Sequence, residues 1–256
     1  MWSQKRANPV TRSRLHGPAL FPESQIGTPT NQDIRYVSPS TMHDHLPRNV
    51  FASPTNLGSL IPRAKEMLGR IREPGRRQLG AVVEEGFERI ELTEPKRALE
   101  EAGAVVEVIS PHKDTVRSWT RGDWGEEFKV DVPMASADPD SYDALLLPGG
   151  VRNPDRLRRN EDAWRFVRAF FAANKTVAAI CHAPWTLIDA GVIDGRRLTS
   201  YQSLQEDLKN AGATWVDEEV VVDRALVTSR SPRDLPAFNK AMIDEISRSR
   251  ASLRPN

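Results

Sequence analysis

Residues 177–185 read VAAICHAPW, and they place the one cysteine of the chain, Cys181, directly against a histidine, His182. The apolar run Val177 to Ile180 has the length and composition of a buried strand, and Pro184 is suited to the first turn of a helix. The pair therefore stands at a strand-to-helix junction. A thiol at a helix start has unpaired amides and the positive end of the helix dipole beside it, which favour the thiolate. The bland reading, a small buried hydrophobe, is equally open for a cysteine considered by itself.

Working outward, short apolar runs alternate with amphipathic helical stretches. Leu79 to Val83, Ala104 to Ile109 and Ala144 to Leu147 read as strands, and TEPKRALEEAG (93–103) as a helix with Thr93 as N-cap, Pro95 in its first turn and Gly103 at its end. Residues 153–173 carry Leu157, Trp164, Val167, Phe170 and Phe171 at helical spacing; PWTLIDAG (184–191), SLQEDLKNAG (203–212) and DLPAFNKAMIDEISRS (234–249) are further helices. EVVVD (219–223) and ALVTS (225–229) predict a hairpin, and SWTRGDWGEEFKVD (118–131) a second one whose charged tip reaches over the site. The alternation predicts one α/β domain, a mainly parallel sheet covered by helices on both faces.

Such sheets bind ligands beyond the carboxyl ends of their strands. Three loops lie there: Glu84 to Glu91, Pro148 to Asp155, and Cys181 to Trp185. Together they offer a carboxylate at Glu88, the Gly149-Gly150 pair with free amides, a thiol and an imidazole. Gly149-Gly150 can be no more than a tight turn, but an amide without a Cβ nearby also suits an oxyanion. Glu88, beside Phe87, is placed for partial burial, which raises a carboxyl pKa. Trp119, Trp124 and Trp185 are candidates for pocket lining or core.

The 256 residues include 36 basic and 35 acidic side chains, a formal net charge of +1, which provides no electrostatic reason to expect nucleic acid or membrane as a partner. A lone cysteine forms no internal disulfide, no secretory signal pattern opens the chain, and no apolar run approaches the roughly 20 residues that span a bilayer. A reducing, cytoplasmic location is expected. No histidine or cysteine cluster has metal-ligand spacing, Gly149-Gly150 lacks the further glycine of a dinucleotide fingerprint, and no cofactor is expected. His16, His43, His45 and His112 are read as surface residues without a role. Residues 1–76, dense in Pro, Ser, Thr and Asn, are expected to form a disordered or loosely packed extension with a short helix over Arg63 to Ile71; Met67 offers an internal start. Residues 77–248 form the domain and 249–256 a tail.

The segments GFERIELTEPKRALEEAGAVVEVISP, YDALLLPGG, NPDRLR, AAICHAPWTLIDAGVIDGRRLTSY, WVDEEVVVD and LVTSRSPRDLPAF, in that order over residues 78–247, resemble the PfpI-type intracellular protease and deglycase family of the class I glutamine amidotransferase-like superfamily. The resemblance implies a flavodoxin-like three-layer sandwich. It implies Cys181 as nucleophile, His182 as base or orienting partner, Glu88 as the carboxylate against the thiol, and Asp155 as an acid reaching the histidine of a neighbouring subunit, hence a homodimer or higher oligomer. Gly150, with the His182 amide, matches the oxyanion site. Ala183 departs from the glycine the family commonly has there, and the long extension departs from its compact members. No histidine follows His182, so the distant Cys-His-Glu arrangement of true glutamine amidotransferases cannot be built. The expected activities are peptide hydrolysis, removal of methylglyoxal adducts, or glyoxalase-type conversion of methylglyoxal itself. The alternative is a non-catalytic stress or redox protein in which Cys181 is reversibly oxidised; weaker still is an interaction module using the extension.

Overall fold

A computed structural model describes residues 76–251. The expected extension up to residue 75, its short helix, the Met67 start and most of the tail lie outside them. The strands are β1 (Gln78–Val82), β2 (Phe87–Glu88), β3 (Val105–Ser110), β4 (Thr115–Thr120), β5 (Asp123–Lys129), β6 (Val132–Pro133), β7 (Ala144–Leu147), β8 (Thr176–Ile180), β9 (Arg197–Leu198), β10 (Thr214–Trp215), β11 (Val220–Asp223) and β12 (Leu226–Ser229). The α-helices are α1 (Arg89–Glu101), α2 (Arg152–Leu157), α3 (Glu161–Ala172), α4 (Pro184–Asp189), α5 (Gln205–Asn210) and α6 (Leu235–Ala251).

The central seven-stranded sheet runs β11-β12-β8-β7-β1-β3-β6. Its pairs are parallel except β11 with β12, the hairpin read from EVVVD and ALVTS. Every residue of β7 and β8 is buried, as a strand covered on both faces requires. Alternation then divides them between two cores. Leu145, Leu147, Val177 and Ala179 face the side covered by α3 and α4, with Phe166, Phe170 and Leu187. Leu146, Ala178 and Ile180 face the side covered by α1 and α6, with Leu92, Leu99, Phe238 and Met242. This is the mainly parallel α/β arrangement that the alternation predicts, and the flavodoxin-like three-layer sandwich that the resemblance implies.

The chain passes from β1 to β3 on one side, then returns to β7 on the other, so the strand order reverses between β1 and β7. A crevice opens at that point beyond the carboxyl ends. The expected second hairpin forms from β4 and β5, which join β2 in a small sheet of their own.

Two helix boundaries differ from expectation. α1 starts at Arg89, so Thr93 is not its N-cap; Glu88 takes that position, and Pro95 lies inside the helix. The reason is burial: with this start Glu91, Leu92, Pro95 and Leu99 share one inward face, which offsets the missing Pro95 N–H. The helical stretch over 153–173 divides into α2 and α3, and the Asn160 side chain caps α3 by accepting from the Ala163 N–H at 3.1 Å. α6 continues to Ala251, three residues into the expected tail.

Candidate active site

β8 ends at Ile180, and Cys181 follows with φ +63°, a left-handed backbone that costs a side-chain-bearing residue on the order of 1–2 kcal/mol. Its main chain is fixed from two sides. The Cys181 N–H donates to the Ser229 carbonyl at 3.0 Å, and its carbonyl accepts from the Tyr201 N–H at 2.9 Å. The strained residue therefore projects Sγ into the crevice while the chain turns towards α4.

Around the sulfur the structure assembles Glu91, Gly149, Gly150 and His182. Gly149 touches both neighbours: a Cβ there would meet Glu91 Oε2 at 2.6 Å and Cys181 Cβ at 2.8 Å. Its N–H donates to Glu91 Oε2 at 2.9 Å. Gly150, at φ +81°, packs its backbone on that of Gly86 and Glu88, and its amide is directed at the Cys181 sulfur, as is the amide of His182.

The carboxyl beside the thiol is that of Glu91, not Glu88. Glu91 is fully buried, and its burial, opposed by the Cys181 and Gly149 hydrogen bonds, raises its pKa from 4.5 to about 8. It is thus mainly protonated at neutral pH. Oε1 is buried without a hydrogen-bond partner among the described residues. Glu88 lies one turn earlier and also lines the crevice, half-buried, with its pKa raised by burial against the opposing charge of Arg89. One turn of α1 separates the two readings. The same surroundings reverse the expectation for the thiol: burial, then the charge of Glu91, pushes Cys181 well above its ordinary range, while the Gly150 and His182 amides pull the other way.

His182 Nδ1 lies 3.2 Å from Cys181 Sγ. Nε2 lies 3.2 Å from Ser203 Oγ, a partner absent from the sequence reading. The ring stacks on Tyr201 at 4.6 Å and meets the edge of Trp185 at 5.6 Å. Burial lowers its pKa to about 4, so the imidazole is neutral and can accept at Nδ1 while Nε2–H donates to Ser203. Asp155, in the first turn of α2, is exposed and is not among the groups around His182 in this chain.

A cavity of about 480 Å³ opens over these groups, lined on its outer side by Trp119, Arg152, Val151 and Tyr201. Trp119, rather than the charged tip of the β4–β5 hairpin, reaches it. Trp124 packs edge-on against Trp119 at 5.5 Å. Asn153, fully buried, ties two of the loops together: its Oδ1 accepts from the Glu84 N–H at 2.7 Å, and its Nδ2 donates to the Pro148 and Gly149 carbonyls at 2.7 and 3.1 Å. Among the described residues no group of three or more His, Cys, Asp or Glu side chains is placed to hold a metal ion, and no helix is long and apolar enough to cross a membrane.

The chain is an α/β sandwich with a strained cysteine at a strand-to-helix elbow, beside a histidine and a buried glutamate. The profile of the DJ-1/PfpI family matches residues 80–245, and the chain belongs to that family. It is 44% identical over 157 residues to the deglycase PfpI of Pyrococcus furiosus, an alignment covering 61% of this chain and 92% of that protein. Among solved structures, DJ-1beta of Drosophila melanogaster superposes with a TM-score of 0.61 at 26% identity, covering 70% of this chain and 97% of the other. A two-domain Anabaena variabilis protein with DJ-1/ThiJ/PfpI-like and ferritin-like domains superposes with a TM-score of 0.64 at 32% identity; the match covers 71% of this chain and 50% of that one.

Proposed function

We propose that this protein is a cysteine-dependent hydrolase of the deglycase type, acting on adducts of small dicarbonyls such as methylglyoxal and on the free dicarbonyls. The observation that carries the reading is the convergence on Cys181 Sγ of three groups from separate loops: neutral His182 at 3.2 Å, the buried Glu91 carboxyl, and the Gly150 amide. The relative named a deglycase supports the same reading.

In this mechanism Sγ forms a bond to the carbinol carbon of the adduct as the adduct's C–N or C–S bond breaks. The thiol proton passes through His182 Nδ1 to the departing amine or thiol. With both Cys181 and Glu91 held protonated near neutrality, the imidazole is the one unprotonated acceptor against the sulfur. A proton then moves from the sulfur-bearing carbon to the neighbouring carbonyl carbon through an enediol, with the Glu91 carboxyl relaying it and the Gly150 and His182 amides holding the oxygen. The product is a thioester on Cys181. Water cleaves it to a 2-hydroxy acid and restores the thiol, so adduct and water become hydroxy acid and free amine or thiol. Asp155, exposed on α2, is assigned to the His182 of a second copy, and the active form is a dimer or a larger assembly of dimers.

The test is hydroxy-acid formation from methylglyoxal and from its thiol adducts by the protein and by Cys181→Ala, beside a fluorogenic peptide. Turnover lost in the variant supports the proposal. Cleavage of the peptide alone replaces it with a peptidase, and no turnover together with ready oxidation of Cys181 replaces it with the redox reading.

A further inference from the structure

Arg152 lines the same cavity as Glu91 and Cys181 and carries no carboxylate or hydrogen-bond partner among the described residues. Other arginines of the domain are engaged: Arg89 with Glu126, Arg156 with Glu84, Arg158 with Asp189 and Arg230 with Asp234. Arg152 instead lies over two aromatic faces, its guanidinium carbon 5.4 Å from the centre of Trp119 and 5.3 Å from that of Trp124. Its stem packs on Gly86, where a Cβ would meet Arg152 Cβ at 2.8 Å; the glycine makes room for it. Two indoles and a glycine thus hold the planar fork in place while its N–H donors stay unused. Arg117, over Trp124 at 5.7 Å, adds a second positive charge to the cluster.

A guanidinium positioned by stacking is built to receive a planar anion in two-point contact. Glu88 faces the same space but is half-buried, with its carboxyl pKa raised; Glu91 is mainly neutral. The cavity, at about 480 Å³, is also far larger than a three-carbon dicarbonyl needs. We infer that Arg152 is a substrate-specificity residue, and that the preferred substrates are dicarbonyl adducts whose amine or thiol portion bears a carboxylate within reach of the guanidinium. This rests on the deglycase reading above and names its substrate class.

The experiment compares the methylglyoxal hemithioacetals of N-acetylcysteine and of N-acetylcysteine amide, which differ only in the carboxylate. For the full-length protein the ratio of kcat/KM values, acid over amide, is expected to be about tenfold or more, carried mainly by KM. Arg152→Gln brings the ratio to about one, and Arg152→Lys retains part of it. A ratio near one in the unsubstituted protein, or a ratio that Arg152→Gln does not move, overturns the inference. Should neither adduct be turned over, the deglycase reading falls. The clamp is then judged by binding of unreactive N-acetyl-S-methylcysteine and its amide, followed by tryptophan fluorescence. Arg152-dependent selectivity for the acid upholds it, and equal binding of the two overturns it.

Discussion

At Gly149 the methyl of an alanine would sit 2.6 Å from Glu91 Oε2, 2.7 Å from the Ile180 carbonyl and 2.8 Å from Cys181 Cβ. The Ile180 carbonyl is backbone and the Cys181 Cβ is fixed by its strained main chain, so the Glu91 carboxyl is the neighbour that must give way. Gly149→Ala is expected to lower stability by about 1–3 kcal/mol and to reduce kcat at least tenfold by displacing the Glu91 carboxyl, measured by chemical denaturation and steady-state kinetics. A stable and fully active variant would show that the carboxyl need not occupy this position. At this scale the sequence was partly legible. Cys181, His182 and the glycine pair are local in the chain and could be read there. Glu91 could not, because four carboxyl-bearing positions, Glu84, Glu85, Glu88 and Glu91, follow β1 and only the phase of α1 decides which enters.

Among elements, the crevice depends on Asn153 joining the loop after β1 to the loop after β7. Removing its side chain leaves the part-buried Glu84 N–H and the buried Pro148 carbonyl without this partner. Asn153→Ala is expected to cost about 2 kcal/mol or more, and to lower activity by loosening Gly149 and Gly150 relative to α1. Unfolding by urea checks the first, and kcat the second. A change under 0.5 kcal/mol, about what an ordinary surface substitution gives, would mean that the loops are held by packing alone. Nothing in NPDRLR marks this asparagine as structural, since its three partners lie in other segments or are backbone groups that only the fold brings near. Ser203 was hidden for the same reason: it meets His182 from across the connection between β9 and α5.

For the whole molecule, the buried Glu91 and His182 set opposing pH dependences. Glu91 keeps its proton in the folded state between about 4.5 and about 8 while the unfolded chain loses it, so its contribution to stability falls as pH rises through that window. His182 stays neutral in the folded state between 6.5 and about 4 while the unfolded chain takes up a proton, so its contribution falls as pH drops. Between pH 6.5 and 8 Glu91 acts without His182, and the protein is expected to lose roughly 2 kcal/mol over that interval. Glu91→Gln flattens the slope; an unchanged slope in urea titrations at the two pH values would assign it to other groups. The sequence by itself determined the layered α/β class and the elbow that carries Cys181-His182, because hydrophobic periodicity and strand-helix punctuation are properties of neighbouring residues. Only the tertiary structure decided that Glu91 rather than Glu88 faces the thiol, that burial raises rather than lowers the thiol pKa, and that Arg152 stands free over two indoles. Each of these depends on which distant surfaces exclude water together, and a linear pattern carries no record of that.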